Sequence, residues 1–206
     1  MLTHPAGTAS LSRQPLKPPQ NEATIFCISE HSPLGHLLLG ATQNALCFLQ
    51  FGPSRTHLFT SLQNRYPQAQ LITVSQHADT TSHFNTAEPL QDWLNAISEF
   101  LAGKNHPLDF PLTLQGTEFQ RKVWSYLQQI PYGQVRSYRD VARGIGQPGA
   151  VRAVASACAA NPVALVIPCH RVIRSNGEPG GYRWGGDLKQ ALLDLEQQQL
   201  EQKQII

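Results

Sequence analysis

The sequence contains no apolar run approaching the roughly 18 residues that cross a bilayer, so a transmembrane helix is excluded. Its N-terminus lacks the basic-then-apolar order of a secretory signal, and the expectation is a cytoplasmic protein. Cysteine is sparse and scattered: Cys27, Cys47, Cys158 and Cys169 form no CxxC pair, which argues against a disulfide framework. Paired ligands at the short spacing of a structural zinc site are missing too, and no metal is expected. Internal repeats are absent, and charged residues make up only 15% of the chain. What remains is 206 residues with an ordinary 41% apolar fraction. That suits one large domain or two small ones with a buried core.

The formal net charge of +2 conceals a division. Residues 1–115 hold 5 Lys+Arg against 7 Asp+Glu, whereas residues 116–206 hold 11 against 7. Between Ile130 and Trp184 stand seven arginines, at 136, 139, 143, 152, 171, 174 and 183, opposed in that span only by Asp140 and Glu178. Arg is the better side chain for gripping phosphate, although a solvated basic face gives the same count. Seven of the eight histidines precede residue 110, which leaves His170 alone in the second half.

Residues 1–20 carry four prolines without periodicity and read as a disordered tail. Ile25–Ile28, His36–Leu39 and Ala45–Phe51 read as a meander of strands, and Leu71–Val74 as a further strand. Leu58, Phe59, Leu62 and Tyr66 recur at helical spacing before Pro67, as do Leu90, Trp93, Leu94, Ile97, Phe100 and Leu101 before Gly103. Leu108–Pro111 reads as an extended connector, and a boundary near it gives an N-terminal domain over 21–109 and a C-terminal one over 110–206. Beyond it the pattern is mostly helical. Thr117 with Gln120 has the form of a capping box, and Ser137 with Asp140 could start the next helix. Gly146 to Gly149 then separates it from a small-residue helix over Ala150–Ala160 that holds Arg152. This is a helix-turn-helix pattern, which any two short helices joined at glycine also share.

The chemistry concentrates at the end of Val163–Ile167, an apolar run that reads as a buried strand. It delivers Pro168-Cys169-His170-Arg171. A thiol is a poor nucleophile at neutral pH until a base takes its proton, and imidazole is the usual base. Neighbours in extended chain point to opposite faces, so Cys169 and His170 need not touch directly, and a bridging water would let the imidazole act as base. A carboxylate would orient the imidazole from behind, with Glu196 and Asp187 of the C-terminal helix as candidates.

Five segments, GTEFQRKVW, IPYGQVRSYRDVA, AVRAVASACAANP, IPCHRVIRSNG and GGYRWGGDLKQALL, resemble the O6-alkylguanine-DNA alkyltransferase family. The likeness is densest over Gly116–Glu196 and closest to the C-terminal half of the bacterial adaptive-response alkyltransferases. It implies an α/β fold: a ribonuclease H-like N-terminal domain of antiparallel meander and helices, followed by a mostly helical domain with a helix-turn-helix. It also implies suicide repair, in which an alkyl group moves from O6-alkylguanine, or from O4-alkylthymine as a further candidate, in duplex DNA to Cys169. His170 would be the water-mediated base and Glu196 its orienting carboxylate. Asn161 matches the asparagine that braces the site, although it could also be a plain helix cap before Pro162. Arg152 matches the finger that fills the vacated stack, and Tyr138 the tyrosine that rotates the nucleotide out. Tyr182 lies in the loop over the base and Val172 beside it, while Arg139 and Ser175 are candidates for phosphate contacts. No cofactor is implied, because the thiol is itself the acceptor, and a monomer is expected.

Three departures from the family accompany the likeness. Arg183 stands where some relatives carry a serine. Ala164 replaces a proline, which should leave a less constricted pocket wall. Ala23 and Thr42 break the zinc set of some relatives, and the chain has no room for the metal-binding sensor domain of the adaptive-response protein, so transcriptional activation is not expected. Three rival readings accompany the resemblance: a non-catalytic alkyl-lesion binder, which would replace Cys169; a helix-turn-helix regulator with Cys169 as redox switch; and a thiol protease, whose Cys and His normally lie far apart in sequence.

Overall fold

The computed structural model describes residues 24–74, 87–104 and 108–204, so the expected tail lies outside the described residues. The apolar alternation of the first segment produces three antiparallel strands, β1 (Thr24–Ser32), β2 (Gly35–Ala41) and β3 (Leu46–Gly52). Ser32 and Gly35 make the first turn: the Ser32 hydroxyl donates to the Gly35 carbonyl at 2.8 Å, and Gly35 takes φ 108°, a left-handed value that glycine adopts without strain. A fourth strand, β4 (Gln70–Thr73), adds parallel to β1, giving the order β3-β2-β1-β4.

Successive side chains on a strand face opposite ways, and both faces are covered. Ile25, Cys27, Leu38 and Phe48 pack with Leu58 and Leu62 of α1 (Arg55–Arg65). Phe26, Ile28, Leu37 and Leu39 pack with Leu90, Leu94 and Ile97 of α2 (Ala87–Leu101). This second layer runs without interruption into the core of the C-terminal half, which includes Trp124, Val154, Val163 and Leu192.

Beyond the extended residues 108–116 come α3 (Glu118–Leu127), β5 (Arg136–Ser137), α4 (Tyr138–Gly144), α5 (Val151–Ala159), β6 (Val172–Ile173) and α6 (Gly186–Gln204). Both expected capping boxes form, Thr117 with Gln120 and Ser137 with Asp140. β5 pairs parallel with β6, which fixes the start of α4 beside the residues that follow Cys169. Trp124 anchors α3 to α5 by donating from Nε1 to the Ala157 carbonyl at 2.8 Å.

The extended segment is tied to the sheet: the Leu46 amide donates to the Pro111 carbonyl at 2.8 Å and the Thr113 amide to the Leu46 carbonyl at 3.0 Å. Val163–Ile167 is buried as expected but is not a strand. After one bridge from Val163 to Leu49 the chain turns, and Leu165 takes φ 65°. The reason is competition for its backbone. The Leu49 carbonyl takes the Ala164 amide at 2.8 Å, and the Asn161 side chain takes the Val163 amide at 2.9 Å and the Ile167 carbonyl at 2.8 Å. The groups that would continue a ladder beyond Val163 are drawn into these local bonds instead.

Ser137 is the joint between β5 and α4: its hydroxyl accepts from the Asp140 amide at 3.1 Å and donates to the Asp140 carboxylate at 2.6 Å. Ser137→Ala removes both bonds and is expected to lower stability by about 1 kcal/mol. Chemical denaturation should show a lower midpoint, with Ser137→Thr close to wild type; an unchanged midpoint in the alanine variant contradicts the cap's role.

Candidate active site

Cys169, His170 and Arg171 form one 3-10 turn, not the end of an extended strand. The premise of an extended chain therefore fails, but its outcome holds: both side chains are buried from a tight turn that begins at Pro168, and His170 Nδ1 makes no hydrogen bond to the sulfur. Asn161, wholly buried, donates from Nδ2 to Cys169 Sγ at 3.1 Å. One side chain thus holds the 161–169 loop and touches the sulfur.

Of the two candidate carboxylates, Glu196 meets the histidine and Asp187 stays exposed. His170 Nε2 lies 2.7 Å from Glu196 Oε1. Arg171 wraps the same carboxylate, with Nη2 donating to Oε1 at 2.9 Å and Nε to Oε2 at 3.0 Å. The Gly133 amide donates to Oε2 at 2.8 Å. Burial pushes the Glu196 carboxyl up, but His170 and Arg171 outweigh it and hold it at about 2. Glu196 is therefore an anion at neutral pH and can only accept. That fixes the proton of His170 on Nε2 and leaves Nδ1 as a lone pair, buried and without a protein partner among the described residues. Burial lowers the His170 pKa and outweighs the opposing pull of Glu196, with Arg171 and Lys189 adding to the lowering, so the ring is a neutral base.

Burial also pushes the Cys169 thiol up to about 11, against the pull of Asn161, Lys189 and Arg183. The sulfur is protonated at neutral pH and depends on a base. It opens on a cavity of about 500 Å³ lined by Tyr138, Arg152, Cys158, Tyr182 and Arg183. The Tyr138 hydroxyl donates to the Gly181 carbonyl at 3.3 Å, linking α4 to the loop that carries Tyr182. Asn161 thus touches the sulfur, Glu196 holds the neighbouring His170, and Tyr138, Arg152 and Tyr182 line the space before Cys169. Arg139 and Ser175 are exposed and are not part of this cavity's lining, and Val172 is buried and does not line it either. Ala164 does not form the cavity wall; it is buried against β3.

Three residues escaped the sequence reading. Arg171 was counted with the basic stretch, but it is buried on Glu196. Arg174 likewise pairs with Glu178 at 2.7 Å. Lys189, fully buried, donates to the carbonyls of Val172 at 2.6 Å, Gly181 at 3.5 Å and Pro179. It pins the loop over the cavity. Its spacing to Leu192 and Glu196 on α6 puts all three on one helix face, and that was the available signal.

Two pKa shifts fix the acid behaviour. Glu196 is depressed, so its contribution is present above about 4.5 and lost as pH falls towards about 2. His170 is also depressed, so below its ordinary value of 6.5 the unfolded state binds the extra proton and stability again falls with pH. Glu196→Gln is expected to cost about 3 kcal/mol near neutral pH and to flatten the acid limb below pH 4.5. Thermal unfolding across pH 2–7 checks this; a variant that keeps the steep acid limb contradicts it.

Comparison with known proteins bears on the same residues. The family model of the 6-O-methylguanine DNA methyltransferase DNA-binding domain matches residues 118–198. The chain is 38% identical over 177 residues to the bifunctional transcriptional activator/DNA repair enzyme Ada of Escherichia coli, covering 86% of this chain but 46% of Ada. It is 39% identical over 183 residues to the methylated-DNA–protein-cysteine methyltransferase of Lodderomyces elongisporus, covering 84% of this chain and 86% of that one. The crystal structure of Mycobacterium tuberculosis OGT in complex with DNA superposes with TM-score 0.65 at 35% identity, covering 84% of this chain and 94% of the other. With both halves of a full-length relative matched and the cysteine turn inside the matched region, the chain belongs to the methylated-DNA–protein-cysteine methyltransferase family.

Proposed function

We propose that this protein repairs O6-alkylguanine in duplex DNA by transferring the alkyl group once, irreversibly, to Cys169. The observation that carries the reading is the buried Cys169–Asn161 contact beside a neutral His170 oriented by Glu196, facing a cavity large enough for a base. The step balances as an in-line displacement. His170 Nδ1, which does not touch the sulfur, takes the thiol proton through a bridging water, the S–C bond forms as the C–O6 bond breaks, and the electron pair stays on O6 until guanine is reprotonated. The product is a thioether and the acceptor is the protein, so no cofactor or metal enters.

An O6-alkyl carbon is unreachable inside a stacked duplex, and extruding the nucleotide costs a few kcal/mol. Arg152, exposed on α5 at the cavity rim, is suited to fill the vacated stack, and Tyr138 to hold the nucleotide outside it. Tyr182 and the backbone near Val172 would meet the base, and Arg139 and Ser175 the phosphates. On this reading α4 and α5 act as a helix-turn-helix whose small residues admit close approach through the minor groove. The four-stranded sheet with α1 and α2 is a ribonuclease H-like N-terminal domain, and the residues from 110 onward are the DNA-binding alkyltransferase domain. The protein would act in the cytoplasm, as a monomer. Non-catalytic lesion binding is the weaker reading, because that class replaces the nucleophile and this chain keeps Cys169.

Duplex carrying labelled O6-methylguanine is expected to transfer label to the Cys169 peptide and to level off at one methyl per protein. Cys169→Ala should abolish transfer and keep DNA binding nearly intact; several methyls per protein contradict the mechanism. Arg152→Ala should slow duplex repair by at least tenfold more than it slows reaction with free O6-benzylguanine. Equal slowing in single-turnover assays removes the finger role.

A further inference from the structure

A second cavity, of about 700 Å³, lies between α1, the start of α3 and the loop that carries Arg183. Arg65 and Arg183 both line it, and no acidic residue does. Burial makes the Arg183 charge harder to hold, and the nearby charge of Arg65 adds to this. Among the described residues neither guanidinium meets a carboxylate. Arg65 donates from Nη2 to the Gln115 carbonyl at 2.6 Å, while its Nε is buried without a partner. Gln50, only 3% exposed, forms part of the wall, and its Nε2 is also without a partner. Thr117 adds the positive end of the ten-residue α3.

Two like charges line one cavity, and behind its surface two residues of its wall each keep a buried N–H donor without a partner, which together cost free energy unless an acceptor reaches them. A carbonyl or hydroxyl offers too few lone pairs and no charge. A phosphate offers several oxygens and the opposite charge, and Arg forks match its geometry. We propose that this cavity binds a phosphate group, held by Arg65, Arg183 and the Gln50 amide at the start of α3.

The phosphate could belong to a nucleic-acid backbone or be free. Ala160, at the end of α5, also lines the cavity, which puts it about 12 Å along that helix from Arg152. A strand engaged by Arg152 passes within reach; this arm alone rests on the function proposed above. Arg183 faces both cavities, so an occupant of one bears on the electrostatics of the other.

The test titrates the full chain with inorganic phosphate by calorimetry at constant ionic strength. It then measures binding to undamaged duplex against salt. Saturable phosphate binding is expected, weakened at least tenfold in Arg65→Gln and in Gln50→Met and unchanged in Arg152→Ala. Unfolding midpoints of both cavity variants show that they are folded, and each serves if the other is not. If the natural phosphate is a DNA phosphodiester, Arg65→Gln also lowers the slope of log K against log salt by about 0.9. If the natural ligand is a free phosphate, the slope stays as in wild type while the heat is lost. Phosphate heat that survives both cavity substitutions, or an absence of phosphate heat with an unchanged slope, overturns the proposal. Methyl transfer to Cys169 stands or falls separately, since its stoichiometry does not depend on this cavity.

Discussion

The C-terminal half is organised around one buried carboxylate. Glu196 is 1% exposed, and it is reached from three directions, by His170, by Arg171 and by the Gly133 amide before β5. A buried anion without partners is far too costly to keep, so each donor is a condition for the others. Because Arg171 also donates to the Ile130 carbonyl at 2.6 Å, the same ion ties the end of α3 to the cysteine turn and to α6. The histidine's tautomer, and with it the lone pair on Nδ1, follows from this arrangement rather than from any feature of the histidine itself.

The N-terminal sheet enters the site by a less obvious route. β3 is an edge strand of its sheet, and its free groups are taken by the C-terminal half through Pro111, Thr113, Pro162 and Ala164. Edge strands left open invite unwanted pairing. Here the edge serves as the template for the 161–169 loop, with Leu49 accepting from Ala164 and donating to Pro162. Asn161 completes the job from inside the loop. The position of the sulfur therefore depends on a strand more than 110 residues away in sequence as well as on its immediate neighbours.

Which parts were legible in the sequence follows from the range of the interactions. The meander, α1 to α3 and both capping boxes are encoded by neighbours, through alternation, helical period and side-chain caps three residues apart. Cys169 and His170 stood out because they are adjacent. Val163–Ile167 misled because an apolar run records burial but not where the backbone hydrogen bonds go. Charge counting misjudged Arg171 for a similar reason: its partner lies 25 residues away, outside the window that was counted. Lys189 shares its helix face with Leu192 and Glu196, which marks it as buried, but nothing local says that three carbonyls await it.

A thiol held at about 11 looks at first like a poor choice for a nucleophile. On the proposed function it is a suitable one. A residue that reacts once and is then lost must not be spent on stray electrophiles, and a protonated thiol on a residue only 4% exposed is nearly inert to them. The same burial that suppresses the free thiolate keeps His170 neutral and its Nδ1 vacant, so the means of activation is stored beside the group it activates. Deprotonation is then needed only while an alkylated base fills the cavity, when bond making to carbon removes the negative charge from sulfur as it develops. Low exposure and a high pKa, drawbacks for an enzyme that turns over many times, become protection for a protein whose reaction ends with itself.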